Sequence, residues 1–97
     1  MTRDEFQQQF SFAVNRVTKV VCERNREYTS TDALACWRKR GFAGIAVRME
    51  DKMQRLSAFV DHGGATPAAW RELFGDLAGY ALCALVWLEA GDDPMVR

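Results

Sequence analysis

Charged side chains at helical spacing are the residues in this sequence best suited to chemistry. They form two runs, one in the middle of the chain and one near its end: Arg48, Asp51, Lys52 and Arg55, and then Glu72, Asp76 and Tyr80. At about 100° per residue, the first four lie within an arc of about 100° on one helix. Carboxylates are ligands that Mg²⁺ prefers, and lysine and arginine bind phosphate groups. The two runs together predict phosphate chemistry at a metal ion.

The turn between the two runs suggests how they meet. If their helices form an antiparallel hairpin through residues 63–66, Asp51 and Asp76 lie at similar distances from the turn and converge. Both are then candidate catalytic residues, and a water molecule bound to Mg²⁺ is the expected nucleophile on phosphorus. Lys52 and Arg55 lie one turn apart and are expected to hold the phosphates.

A purely structural explanation accounts for the same residues. The cations and Asp51 are spaced three or four positions apart, as in ordinary ion pairs on an exposed helix. Asp76 differs because it opens the most apolar stretch of the chain, residues 77–88, where a carboxylate needs a partner. A salt bridge from Asp76 to Arg48 or Lys52 meets that need as well as a metal ion does.

Other reactive residues lack the neighbours that a site requires. The chain has three cysteines and a single histidine, His62, which are too few and too scattered for a zinc site. The basic residues 38–40 beside Trp37 have the charge and the aromatic ring that bind nucleic acid, but they also suit the negative end of a short helix. Because 13 Lys and Arg balance 13 Asp and Glu, nucleic acid is not an expected partner.

Four helical segments position these residues. Apolar residues recur every three or four positions from Phe6 to Val21 and predict a first helix, with Thr2 in a capping box. Glycines at 41 and 63–64 and the Thr66-Pro67 pair mark later helix ends and starts. The predicted helices span about 3–26, 31–39, 43–61 and 67–90, and the tail 92–97 is expected to be frayed. The expected fold is all-α, a bundle of three main helices plus one short helix in a single domain, 1–97.

The last helix is expected to mediate self-association. It is apolar on more sides than three helices can cover, which predicts a homodimer or a higher homo-oligomer. Its uncharged run, residues 77–88, is too short for a bilayer span of about 20 residues, so no membrane is expected. Unpaired cysteines and a polar N-terminus without a leader are typical of a cytoplasmic protein.

Three stretches resemble a small MazG-like domain family of phages and bacteria. They are Glu27 with Tyr28, the pattern Val-Arg-Met-x-Asp-Lys-x-x-Arg at 47–55, and Asp-Leu-Ala-x-Tyr-Ala at 76–81. The family is related to the all-α nucleoside triphosphate pyrophosphohydrolases. The resemblance therefore implies a helical oligomer that releases pyrophosphate from a nucleoside triphosphate with Mg²⁺ as cofactor.

The resemblance also implies roles for individual residues. Asp51, Glu72 and Asp76 match acidic, metal-binding positions, and the expected substrate-binding residues are Arg48, Lys52, Arg55, Tyr80, Trp37 and Tyr28. The sequence departs from the superfamily's Glu-x-x-Glu and Glu-x-x-Asp pairs, which are replaced by Arg48-x-x-Asp51 and Glu72-x-x-x-Asp76. This shortage of carboxylates keeps an alternative open: a non-catalytic, oligomeric helical module that binds a nucleotide or a protein in the same charged cleft.

Overall fold

The structure, a computed structural model, describes residues 1–28 and 35–90, and it describes residues 28 and 35–38 by their backbone only. Its elements are three helices, α1 (Arg3–Tyr28), α2 (Ala35–His62) and α3 (Pro67–Glu89), with no strand in the described ranges. The predicted all-α class is therefore confirmed. The predicted helix start at residue 31 and the tail 92–97 lie outside the described residues.

The N-terminus of α1 is capped as its sequence predicts. The Glu5 N–H donates to Thr2 Oγ1 at 3.1 Å, and the Phe6 N–H donates to the Thr2 carbonyl at 2.9 Å. Acidic residues in this first turn, Asp4 and Glu5, also oppose the positive end of the helix dipole. The helix continues to Tyr28, two residues beyond its predicted end.

The second element consists of two helical segments that meet across a kink. Its range is Ala35–His62, and Gly41 within it has the non-helical angles φ 68° and ψ −174°. This φ lies in the left-handed region that favours glycine. The predicted break at Gly41 is therefore correct in position.

A short glycine turn connects α2 to α3. Gly63 and Gly64 have φ values of 70° and 79°, and the Gly63 N–H donates to the Phe59 carbonyl at 3.0 Å. Thr66 then caps α3 by accepting a hydrogen bond from the Ala69 N–H at 3.1 Å, with Pro67 in the first turn. These are the turn signals expected from the sequence.

The helix α3 lies between the other two. It contacts both α1 and α2, which do not contact each other along their described lengths. Among the described side chains, Leu73 and Trp87 are fully buried, and Ile45 is 5% exposed. Trp87 packs edge-to-face on Phe42, with ring centroids 5.1 Å apart. The core therefore lies mainly between α2 and α3.

The buried face of α2 differs from the apolar stripe that its sequence suggests. Met53 and Val60 belong to that stripe, yet they are 49% and 68% exposed. Phe59 instead packs on Trp70, with centroids 5.1 Å apart, and Lys52 is also turned towards α3. These two contacts rotate the buried face by roughly 40° from the apolar stripe. No helix within the described ranges has both the length and the apolar character needed to cross a bilayer.

Candidate functional site

Asp76 is the point at which all three helices meet through side chains. Lys52 Nζ of α2 lies 2.9 Å from its Oδ2 atom, and Arg24 Nη1 of α1 lies 2.9 Å from its Oδ1 atom. Each carboxylate oxygen therefore has one cationic donor. This Asp76 centre, defined as Arg24, Lys52 and Asp76, joins residues that are far apart in sequence.

Burial makes this ion-pair arrangement more than a surface contact. The side chain of Asp76 is 8% exposed, that of Lys52 is 19% exposed and that of Arg24 is 49% exposed. Burial alone would raise the pKa of Asp76, but the hydrogen bonds and positive charges of Lys52 and Arg24 outweigh it and hold that pKa below its ordinary value. Asp76 is thus an ionised carboxylate at neutral pH, compensated from both sides.

Arg24 is the member of the centre that the charged motifs did not reveal. It continues the apolar stripe of α1, three residues after Val21 and seven after Val17, so it faces the same way as residues that pack inward. A cation at the end of an apolar stripe signals a buried acidic partner. Its hydrogen bond to Asp76 raises the pKa of Arg24 above its ordinary value, against the opposing effect of burial.

The other α3 residues of the predicted site lie beside this centre. Glu72 is exposed and Tyr80 is partly buried, one turn before and one turn after Asp76. The hydrogen bond to Asp76 is the main cause of the raised pKa of Arg24, burial opposes it, and the negative charge of Glu72 adds the smallest contribution. Glu72 thus acts on the charge of Arg24, which is not among the predicted site residues.

Asp51 does not join that neighbourhood. The side chains that the structure describes, those of residues 1–27 and 39–90, include no group of three or more His, Cys, Asp or Glu placed to hold a metal ion. Successive helical residues point about 100° apart, so Asp51 is directed away from α3 when Lys52 faces Asp76. Because both oxygens of Asp76 bond to cations, the described side chains do not fit a Mg²⁺ site, and Mg²⁺ binding by Asp51, Glu72 and Asp76 stays a prediction.

A second charged feature lies on α2 at its kink. A shallow groove, here called the α2 groove, is lined by Lys39, Arg40, Ala43, Gly44, Val47, Arg48 and Asp51. Three cations thus share one surface depression with one carboxylate. None of the three cations forms an ion pair with a side chain that the structure describes.

Glycine shapes the floor of the α2 groove. A methyl group at position 44 would lie 2.7 Å from the Cβ atom of Arg40 and 3.5 Å from its Cδ atom, so the Arg40 stem lies directly over Gly44. The kink at Gly41 brings this stem back along the helix segment that carries Arg48. From the sequence, residues 38–40 suit the negative end of a short helix as well as nucleic acid, and the pattern does not show that α2 continues past Gly41.

The remaining predicted substrate residues are Arg55, Tyr28 and Trp37. Arg55 is exposed on α2 and forms no ion pair with a described side chain. Tyr28 and Trp37 belong to α1 and α2, but their side chains lie outside the described part of the structure, so the prediction that they stack on a base stays a prediction.

No protein-family model, curated protein or solved structure matches the chain. The MazG-like resemblance therefore stays a prediction from the motifs. Function is argued below from the geometry of the Asp76 centre and the α2 groove.

Proposed function

We propose that this chain is a helical nucleotide-binding module whose α2 groove receives the phosphate groups. The observation that carries the proposal is a set of three cations, Lys39, Arg40 and Arg48, which form no ion pair with a described side chain. They surround a depression that contains one carboxylate, Asp51. The chain as a whole has a formal net charge of zero, so this local excess of positive charge is not a property of the whole surface.

The side-chain types in the α2 groove suit phosphate oxygens. Arginine presents a planar set of donors that can bind two phosphate oxygens at once, and lysine adds a compact charge. The kinked backbone and the absence of a side chain at Gly44 let the Arg40 stem lie close to the helix. Arg48 thus keeps its predicted substrate-binding role, and Arg40 joins it in place of Lys52, which is bonded to Asp76.

Pyrophosphate release from a nucleoside triphosphate is the second candidate function. The observation that favours it is the contact between Lys52 and Asp76, because these residues belong to the two separate motifs that resemble the MazG-like family. In that function Asp51 and Asp76 are the candidate catalytic residues, and Mg²⁺ is the proposed cofactor. Since the described carboxylates do not form a metal-binding group, binding without hydrolysis agrees better with the geometry.

We also propose that the working form is a homo-oligomer in the cytoplasm. The side of α3 that faces away from α1 and α2 exposes large apolar side chains: Phe74 (53%), Leu82 (38%), Leu85 (55%), Val86 (57%) and Leu88 (47%). Large exposed apolar side chains on one helix indicate a protein contact. The Cys22 thiol forms no disulfide with a described residue, which agrees with a reducing compartment.

A thermal-shift screen of nucleoside mono-, di- and triphosphates, each with and without Mg²⁺, tests the proposed function. Stabilisation that grows with the number of phosphates is expected, because each added phosphate brings charge to the cations of the α2 groove. At a ligand concentration 100 times the dissociation constant, the expected gain is about 2.7 kcal/mol. Inorganic phosphate and pyrophosphate serve as ligands without a base.

The same screen, with pyrophosphate release measured on the same samples, separates the two candidate functions. Stabilisation without Mg²⁺ and without pyrophosphate release, even at high protein concentration, supports the binding module. Mg²⁺-dependent pyrophosphate release that Asp76→Asn abolishes in a folded protein supports the pyrophosphohydrolase. No stabilisation by any of these phosphate compounds contradicts both.

A further inference from the structure

The N-terminal half of α1 is a helix surface that the single chain leaves uncovered. Every residue from 1 to 16 is exposed, including Phe6 at 59%, Phe10 at 60% and Val14 at 37%. Those three side chains follow one another at four-residue spacing and so share one face. Residues 6–15 include no charged side chain, which is unusual for a helix surrounded by water.

This uncovered face continues an interface that already exists within the chain. Further along the same stripe, Val21 packs on α3, where a methyl group at Gly79 would lie 3.0 Å from its Cγ2 atom. Arg24 on α1 bonds to Asp76 on α3. As the α1 number rises from 21 to 24, the α3 number falls from 79 to 76, so the two helices run antiparallel.

That register shows why half of α1 lacks a partner. In this antiparallel register, each step back along α1 from Val21 corresponds to one step forward along α3 from Gly79. Phe10 therefore lies level with residue 90, just past the end of α3 at Glu89. Phe6 lies beyond that level by four residues, or about 6 Å along the helix. α2 does not supply the missing partner, because it makes no contact with α1 along the described residues.

The exposed surface of the chain is large enough for an interface with a second chain. The chain exposes 7486 Å², whereas a folded monomer of its mass exposes about 5,600 Å². Its radius of gyration is 15.3 Å, compared with about 12.5 Å for a compact domain of this length. A standard protein interface covers about 800 Å² on each partner, so the excess is enough for a stable contact.

The sequence of the chain indicates what the partner is. Residues 91–97, GDDPMVR, bring only Met95 and Val96 as large apolar side chains, too few to cover the α1 stripe. The apolar outer face of α3, with Leu82 and Leu85, also lacks a cover. Two copies of the chain can satisfy both needs, because each copy carries both faces and a two-fold interface repeats every contact.

We propose that the chain forms a two-fold dimer in which the N-terminal half of α1 of each copy packs on the outer face of α3 of the other. The contact surface on α1 comprises Phe6, Phe10 and Val14, and the surface on α3 is centred on Leu82 and Leu85. This inference rests on the oligomeric part of the proposed function and adds the helix that covers α3. It does not depend on nucleotide binding.

Sedimentation velocity over a concentration series, with the full chain, tests this interface. The variants are Phe10→Glu on α1, Leu85→Lys on α3 and Phe12→Glu as the matched control. Phe12 is 49% exposed but lies about 160° around the helix from Phe10. Each interface variant is expected to raise the dimer dissociation constant at least 100-fold, whereas Phe12→Glu leaves it within about threefold.

Mixing the two interface variants identifies which helices touch. In a mixed dimer, one of the two contacts joins an unchanged Phe10 to an unchanged Leu85, so the mixture is expected to recover dimers that neither variant forms alone. Circular dichroism checks that the variants keep their helix content, and Phe10→Gln replaces Phe10→Glu if the charge prevents folding.

Four results would overturn the inference. If the native chain is monomeric, the proposed dimer does not exist. A nucleotide-induced thermal shift of that monomer would still support the proposed binding function. Unchanged association of Phe10→Glu shows that α1 is outside the interface. Unchanged association of Leu85→Lys shows the same for α3. If both variants associate more weakly and mixing does not recover dimers, then α1 pairs with α1 of the other chain and α3 pairs with α3.

Discussion

Replacing Lys52 by methionine tests whether the Asp76 centre holds the three helices together. Methionine keeps the length and the apolar stem of lysine but removes the cation that lies 2.9 Å from Asp76 Oδ2. Asp76, which is 8% exposed, then retains only Arg24, whose side chain is 49% exposed. The substitution leaves a largely buried carboxylate with one of its two cationic partners.

The expected loss of stability follows from the opposing contributions to this ion pair. Two unit charges at 2.9 Å attract by roughly 6 kcal/mol at an effective dielectric constant of about 20. Dehydration of both groups offsets much of that attraction, and breaking a buried pair on one side typically costs about 3–5 kcal/mol. Because Arg24 remains, we expect Lys52→Met to lower the free energy of unfolding by about 2–3 kcal/mol.

Two further variants define the comparison. Arg24→Met is expected to cost about 1 kcal/mol or less, because a half-exposed cation is well screened by water. The double variant is expected to lose more than the sum of the two single losses, since Asp76 is then buried without any cation. Arg55→Met, on the same helix as Lys52 but in no ion pair with a described side chain, is the control and should change stability by about 0.5 kcal/mol at most.

The pH dependence provides a second measure of the same contacts. The ion pairs hold the pKa of Asp76 below its ordinary value, so their stabilisation is present above the ordinary pKa of about 3.9. It is lost as the pH falls through the lower pKa of the folded state. The difference between the native chain and Lys52→Met should therefore be large at pH 7 and shrink below about pH 4.

Urea denaturation followed by circular dichroism, at one fixed protein concentration, measures these differences. The concentration is fixed because association adds to the apparent stability of an oligomer. If Lys52→Met costs no more than Arg55→Met at pH 7, or if its cost is the same at pH 3 and pH 7, the central role given to Asp76 is refuted.

Two other changes test the packing and the capping of the helices by the same denaturation assay. A methyl group at Gly79 would lie 3.0 Å from Val21 Cγ2, whereas one at Gly75 would have nothing within 4 Å. Gly79→Ala should therefore be less stable than Gly75→Ala by about 1 kcal/mol or more. Equal stability of these two variants would show that α1 does not pack closely at Gly79. Thr66→Ala removes the acceptor for the Ala69 N–H and should cost about 1 kcal/mol, whereas no loss would mean that the cap hydrogen bond does not stabilise α3.

Local signals in the sequence predicted most of the helix ends that the structure describes. Thr2, Thr66 and Pro67 marked helix starts, and the glycines at 41 and 63 marked a kink and an end. These residues act through hydrogen bonds and backbone angles within a few positions, so their effect does not depend on the rest of the fold. The end of α1 was predicted at residue 26, two residues before the helix ends at Tyr28.

The arrangement of the charged residues depended on packing that local patterns do not contain. The partnership of Asp76 with Lys52 was among the predicted alternatives, because a carboxylate entering an apolar stretch requires a cation. Arg24 was missed because its partner lies 52 positions away in the sequence. Asp51 points away from Asp76 because it lies about 100° around α2 from Lys52. The turn of Lys52 towards α3 accompanies the contact between Phe59 and Trp70, which the apolar stripe alone did not predict.

The most direct test of the central claim is calorimetric titration of the chain with the nucleoside triphosphate that stabilises it most in the thermal-shift screen. The native chain is compared with the double variant Arg40→Met/Arg48→Met and with Arg55→Met as a control of the same residue type. Phosphate binding in the α2 groove predicts that the double variant weakens affinity at least 100-fold, since each charge-assisted hydrogen bond contributes about 1.5–3 kcal/mol, while Arg55→Met binds within about threefold of the native chain. Equal affinity of the double variant and the native chain would contradict the assignment of the α2 groove as the phosphate site.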